Sequence, residues 1–195
     1  MYRIAIFASG NGSNAQRIVE YFEGSGFAMV ALILSNNENA YVLKRAANLG
    51  IPFKTFDRKL FYQSDEVLRW CRDARIDMVV LAGFLWLIPD YFIKAFPMRI
   101  LNIHPALLPK YGGKGMYGER VHSAVINAGE KMSGITIHYV DERYDNGLIV
   151  FQATCDVDKE DTPEMLAHKI HRLEHQYFPS VIGSILKEMA VRSEL

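Results

Sequence analysis

Short runs of consecutive apolar, largely β-branched residues alternate with longer stretches whose apolar positions recur three and four residues apart. The runs at 3–8, 29–35, 78–82 and 100–103 predict strands. They are apolar almost throughout, the pattern of parallel strands covered on both faces. The stretches at 13–23, 41–49, 65–74 and 119–128 predict helices. In the first, Ile18, Val19 and Phe22 share one face. Strands alternating with helices predict an α/β domain on a mostly parallel sheet.

The pattern changes after Gly129. Residues 134–141 and 148–157 read as two strands joined by Glu142-Arg143-Tyr144-Asp145-Asn146-Gly147. Asn-Gly is a strong turn signal and predicts antiparallel neighbours. A long helix follows from about 162 to 189, with Pro163 in its first turn. Pro179 is expected to kink or interrupt it. No repeat or linker divides the chain, so one domain is expected over 1–195, with halves meeting near 98 and 99. The expected fold is α/β: a Rossmann-like, mostly parallel central sheet flanked by helices, an antiparallel C-terminal strand pair and a long C-terminal helix.

A chain of 195 residues, half of them hydrophobic, can bury a substantial core. Lysine plus arginine and aspartate plus glutamate balance at 22 each, so no global field draws it to nucleic acid or an acidic membrane. No stretch reaches membrane-span length, and the first apolar run is too short for a signal-peptide core. Cys71 and Cys155 alone do not make a disulfide framework. A cytoplasmic protein with small-molecule partners is expected, with no nucleic acid or membrane among them.

Five places could carry chemistry. Ser9-Gly10-Asn11-Gly12-Ser13-Asn14-Ala15 lies between the first strand and first helix. Its glycines let the backbone expose N–H groups, and the helix start behind them favours an anion. Ser13 or Asn14 can cap the helix or bond a ligand. A dinucleotide would call for an acidic residue at the end of strand two, where Ser35-Asn36-Asn37 stands instead. The phosphate of a smaller nucleotide fits better, and a capped structural turn is the alternative.

Asn102-Ile103-His104-Pro105 ends a strand at the edge where open parallel sheets bind ligands. Alternation sends Asn102 and His104 to one side. Asn102 can donate to a polarised carbonyl, and His104 can donate a proton or stabilise an oxyanion. Asp145, read alone, is a turn aspartate capping its own backbone. His171-Arg172-Leu173-Glu174-His175 has the form H-x-x-E-H, but nothing marks a further zinc ligand; a solvated helix face or a substrate contact through Glu174 is expected, and no metal. Lys110-Tyr111-Gly112-Gly113-Lys114-Gly115-Met116-Tyr117-Gly118 reads as a glycine-rich loop that either closes over a ligand or is simply exposed.

Taken together these motifs resemble the phosphoribosylglycinamide formyltransferases, the folate-dependent formyl-transfer family of purine synthesis. The resemblance rests on the Ser9-to-Asn14 loop, Val80-Leu81-Ala82-Gly83-Phe84, and Leu101-Asn102-Ile103-His104-Pro105-Ala106-Leu107-Leu108-Pro109. It continues through Gly134-Ile135-Thr136-Ile137-His138-Tyr139-Val140-Asp141, Asp145-Asn146-Gly147 and Leu173-Glu174-His175-Gln176-Tyr177-Phe178-Pro179. It implies Asn102, His104 and Asp145 as the catalytic set, with His138 behind Asp145. It implies Gly12, Ser13 and Asn14 on the substrate phosphate and ribose, helped by Arg58 or Lys59, and Glu174 on the glycinamide end. Leu85, Trp86, Leu87 and Ile88 would line the folate pocket opposite a loop bearing Asp141 and Tyr144.

The co-substrate implied is 10-formyltetrahydrofolate, the oligomeric state a monomer or weak homodimer. Asp145 would raise the pKa of His104 by proximity. Two positions depart from the family. Trp86 stands where arginine is frequent. Asn146 follows the aspartate where glycine or threonine is frequent, and its tolerance of left-handed backbone angles is expected to preserve the turn. The rivals are a formyl-folate hydrolase and a nucleotide-binding module without catalysis.

Overall fold

The computed structural model describes residues 1–193; Glu194 and Leu195, the end of the expected 1–195 domain, lie outside the described residues. In chain order the elements are β1 (Tyr2–Phe7), α1 (Ser13–Phe22), β2 (Ala28–Ser35), α2 (Tyr41–Asn48), β3 (Phe53–Thr55), α3 (Arg58–Tyr62) and α4 (Glu66–Asp73). They continue as β4 (Met78–Leu81), α5 (Asp90–Ala95), β5 (Ile100–His104), α6 (Glu119–Asn127), β6 (Met132–Tyr139), β7 (Ile149–Asp156) and α7 (Pro163–Ser193).

One sheet has the order β3-β2-β1-β4-β5-β6-β7. β1 to β5 pair in parallel, and β6 and β7 add on antiparallel, as the sequence led us to expect. The strand order reverses at β1, so the loops after β1 and β4 diverge and open a crevice, the switch point where such sheets take ligands. Ser9 ties the two loops together. Its N–H donates to the Gly83 carbonyl (3.0 Å), and its hydroxyl donates to Asn36 Oδ1 (2.7 Å) while accepting from Leu85 N–H (3.1 Å).

Both faces of the sheet are buried at β1, β2, β4 and β5, which is why these strands lack polar alternation. From β1, Ile4 and Ile6 face Ile18 and Phe22 of α1 and Phe178, Ile182 and Leu186 of α7. Ala5 and Phe7 face Phe61, Leu68 and Phe92 on the other side. Rings of Phe56, Phe61, Phe84 and Phe92 surround Phe7 at 5.4–6.2 Å. Each such fully buried side chain contributes roughly 1.5–3 kcal/mol.

Two expectations change. α7 runs unbroken through Pro179. Proline removes one hydrogen bond, to the His175 carbonyl, but buried Phe178 and Ile182 flank it and hold both halves of the helix on the sheet. β3, α3 and α5 are additional elements of three, five and six residues. The Leu108-Pro109 bond is cis. Among the described residues no helix is long and apolar enough to cross a membrane.

Candidate active site

Three chain segments meet beyond the carboxyl end of β5. Leu101 and Ile103 point into the core shared with α1 and α7, so Asn102 and His104 point together to the other side. The register sets Asn102 directly opposite His138 on β6, and their side chains meet, Asn102 Nδ2 to His138 Nε2, at 3.0 Å. The β6–β7 loop delivers Asp145 to the same point. Asn102 Nδ2 donates to Asp145 Oδ1 (3.3 Å), Gly113 N–H donates to Asp145 Oδ2 (2.9 Å), and that oxygen lies 3.5 Å from His104 Nδ1.

The turn carrying Asp145 differs in detail from expectation. The left-handed residue is Asp145 itself (φ 52°), not Asn146. Asn146 instead donates through Nδ2 to Asp141 Oδ2 (2.7 Å), and Asp141 Oδ1 accepts from Arg143 N–H (2.9 Å). Asp141 therefore braces the turn and does not line the cleft. Gly147 is required because a Cβ there would sit 1.8 Å from the Tyr139 carbonyl oxygen.

The expected upward pull of Asp145 on His104 is present, but it does not set the net shift. Burial depresses the pKa of His104 more than Asp145 and the Tyr111 carbonyl raise it, so the net shift is downward. The aspartate does lift the imidazole, as proximity demands, but desolvation of a ring only 3% exposed is larger. Burial raises the carboxyl of Asp145, but His138, His104 and the Gly113 N–H together outweigh it and hold its pKa below the ordinary value.

These groups open into a cleft of about 630 Å³ that also holds Ser9 to Asn14, Leu85, Gly113 to Gly118, Arg120, His122, Tyr144, His171 and Glu174. Gly12 caps α1 with φ 77°, and no side chain caps that helix. Neither Ser13 nor Asn14 caps the helix through its side chain, so the first-turn N–H groups and the Ser13 hydroxyl remain available to a ligand. Asn14 Nδ2 donates to Glu174 Oε2 (2.9 Å), while Asn14 Oδ1 is buried without a partner. Burial of Glu174 outweighs that hydrogen bond and pushes its pKa up to about 7.

A second hollow of about 50 Å³ adjoins the site, lined by Phe84, Trp86, Leu87, Ile88, Tyr144 and Arg143 among others. It gathers three of the four predicted 85–88 residues; Leu85 lies in the larger cleft. Trp86 is wedged against Phe61 and Tyr62 at about 6 Å.

Arg58 and Lys59 are not brought to the α1 start. They open α3, Arg58 lies over the Trp86 ring at 4.7 Å, and neither lines the cleft. Sequence reasoning missed His122, which lines the cleft 3% exposed, with Nδ1 unpartnered and its pKa pulled down to about 4 by burial. The available signal was a histidine between Val121 and Val125 on the buried face of α6.

The fold and this site define a class. The formyl transferase family model matches residues 2–182, and the chain belongs to that family. Within it, relatives carry the name phosphoribosylglycinamide formyltransferase. The enzyme of that name from Bacillus subtilis is 37% identical over 191 residues, 95% of each chain. The chloroplastic one from Arabidopsis thaliana is 43% identical over 192 residues, 95% of this chain; the chain spans only 66% of that relative's length. The crystal structure of the Bacillus halodurans enzyme superposes with a TM-score of 0.84 at 37% identity, covering 94% of this chain and 95% of that one. The resemblance drawn from the motifs is borne out.

Proposed function

We propose that this chain transfers the formyl group of 10-formyltetrahydrofolate to the amine of 5'-phosphoribosylglycinamide, giving formylglycinamide ribonucleotide and tetrahydrofolate. The observation that carries the reading is the meeting of Asn102, His104 and Asp145 in the cleft that also holds the uncapped start of α1. The 1–98 half supplies the phosphate end, the 99–195 half the reacting groups, and the setting is cytoplasmic.

The acceptor amine attacks the formyl carbon, whose C=O electrons move onto oxygen. Asn102 Nδ2 donates to that oxyanion, and a fixed donor of this kind is worth ~3–4 kcal/mol. His104, protonated, stabilises the same charge. The amine gives up a proton to Asp145. The carbonyl re-forms as the bond to N10 breaks, and N10 leaves with the proton that Asp145 took from the amine and hands on, which returns Asp145 to its carboxylate form. Glu174, which accepts from Asn14 Nδ2, holds the glycinamide end, and Gly12, Ser13 and Asn14 with the α1 N–H groups hold the phosphate and ribose. Leu85 to Ile88 and Tyr144 flank the folate.

The test is a mixture of the protein, 10-formyltetrahydrofolate and 5'-phosphoribosylglycinamide, followed by absorbance of the folate product. Product that appears only with the amine supports transfer. Release without the amine marks a hydrolase, and no release marks a binding module.

A further inference from the structure

A phosphate dianion held at the start of α1 needs countercharge that α1 itself does not supply. Its first turn reads Ser13-Asn14-Ala15-Gln16. Arg45 is near but committed: Nε and Nη2 donate to the backbone and side-chain oxygens of Asn11 (2.9 and 2.8 Å), and Nη1 donates to Gln16 Oε1. Arg58 lies over Trp86. Among the described residues lining the cleft, the lysines and arginines are Lys114 and Arg120. Neither is paired with a carboxylate among the described residues, and Arg120 rests its guanidinium over the Tyr117 ring at 5.0 Å.

Both cations sit on or just after the glycine-rich loop, where Gly113, Gly115 and Gly118 all take positive φ. The same loop donates the Gly113 N–H to Asp145 Oδ2. A second observation points to a ligand at this wall: His122, one turn into α6, faces the cleft almost fully buried with Nδ1 unsatisfied.

We infer that Lys114 and Arg120 are the phosphate-neutralising residues for the acceptor, reaching it from the glycine-rich loop rather than from α3. Phosphate binding and the seating of Asp145 are thereby joined, because Lys114 neighbours the Gly113 N–H that holds the carboxylate on one short loop, and Arg120 follows that loop at the start of α6. The inference rests on the acceptor being a phosphorylated amine.

Binding is measured calorimetrically, without folate, for 5'-phosphoribosylglycinamide and for its dephosphorylated counterpart. Lys114→Ala and Arg120→Ala each remove one charge-assisted hydrogen bond to phosphate, and each weakens the phosphorylated ligand roughly tenfold or more. The dephosphorylated ligand changes by less than about twofold, and Lys114→Arg restores most of the difference. Equal weakening of both ligands, an unchanged preference for phosphate in the double variant, or no preference in the unaltered protein each overturns the inference. These outcomes separate from the formyl-transfer reading. A chain that transfers formyl groups while its double variant keeps the phosphate preference loses the inference alone. One that binds phosphate through these cations yet transfers nothing loses the reading alone.

Discussion

Asp145 Oδ2 lies 3.5 Å from His104 Nδ1, while His104 Nε2 stands 2.8 Å from the Tyr111 carbonyl oxygen. A neutral ring donating through Nε2 turns its Nδ1 lone pair toward a carboxylate. A second proton converts that approach into an ion pair. Burial opposes that proton and Asp145 favours it.

Asp145→Asn removes the favouring charge and keeps the shape. Asparagine tolerates the left-handed angle at this position, and its oxygen can still accept from Gly113 N–H. Turnover is expected to fall by about 100- to 10,000-fold in a folded variant whose thermal midpoint is only modestly lowered, since the amide nitrogen in place of Oδ1 cannot accept from Asn102 Nδ2. Steady-state kinetics on a variant shown folded by circular dichroism check this; full activity removes Asp145 from the mechanism.

Much of this arrangement could be read from residues, and the limits have physical causes. β1, β2, β4 and β5 were legible because strands covered on both faces carry unbroken apolar runs. Asn102 and His104 were legible because they are polar residues ending one such run. β3 was not: all three of its residues are exposed, so no hydrophobic signal exists. α3 and α5 span under two turns, too short for a helical period to register. Asp145 looked like a turn residue and is one; its approach to His104 depends on the pairing of β5 with β6, which local sequence does not encode. His122 escaped because a buried polar side chain on an apolar helix face looks like packing until the cleft beside it is seen.

Asn102→Ala removes an amide whose two hydrogens meet His138 and Asp145 in this structure, one of which must turn to the oxyanion in the proposed reaction. The folded site gives up the hydrogen bonds to His138 and Asp145, a stability loss of about 1–3 kcal/mol. The oxyanion is left without its fixed donor, and kcat is expected to fall by roughly 100-fold or more. Because the donor acts on charge that develops during reaction, the Michaelis constants should move far less than kcat. A variant with intact kcat and raised Michaelis constants assigns Asn102 to ground-state binding instead.

Ser13→Ala tests the start of α1. Gly12, not Ser13, caps the helix, so removing the hydroxyl leaves the helix end intact. The Michaelis constant for the phosphorylated acceptor should rise about fivefold or more, as expected for removal of one hydrogen bond of ~1–1.5 kcal/mol. That for formyl-folate should stay within about twofold. Equal effects on both substrates mean the loop's role is structural.

Glu174→Gln tests the buried carboxyl through pH. Its folded pKa of about 7 stands above the ordinary 4.5. Between those values the native state keeps a proton that the unfolded chain has released. The stability this contributes is complete below about 4.5, is lost as pH rises toward 7, and is gone above it, up to ~3 kcal/mol in all. Glutamine is neutral throughout and can still accept from Asn14 Nδ2. The variant should therefore match the parent near pH 5 and exceed it in thermal midpoint near pH 8. His122, whose pKa is pulled down to about 4, bends the profile the other way: stability falls as pH drops from about 6.5. Both proteins keep His122, so its effect cancels in the difference between them. A difference in midpoint that is the same at both pH values means that Glu174 is ionised in the folded chain and that burial does not govern it.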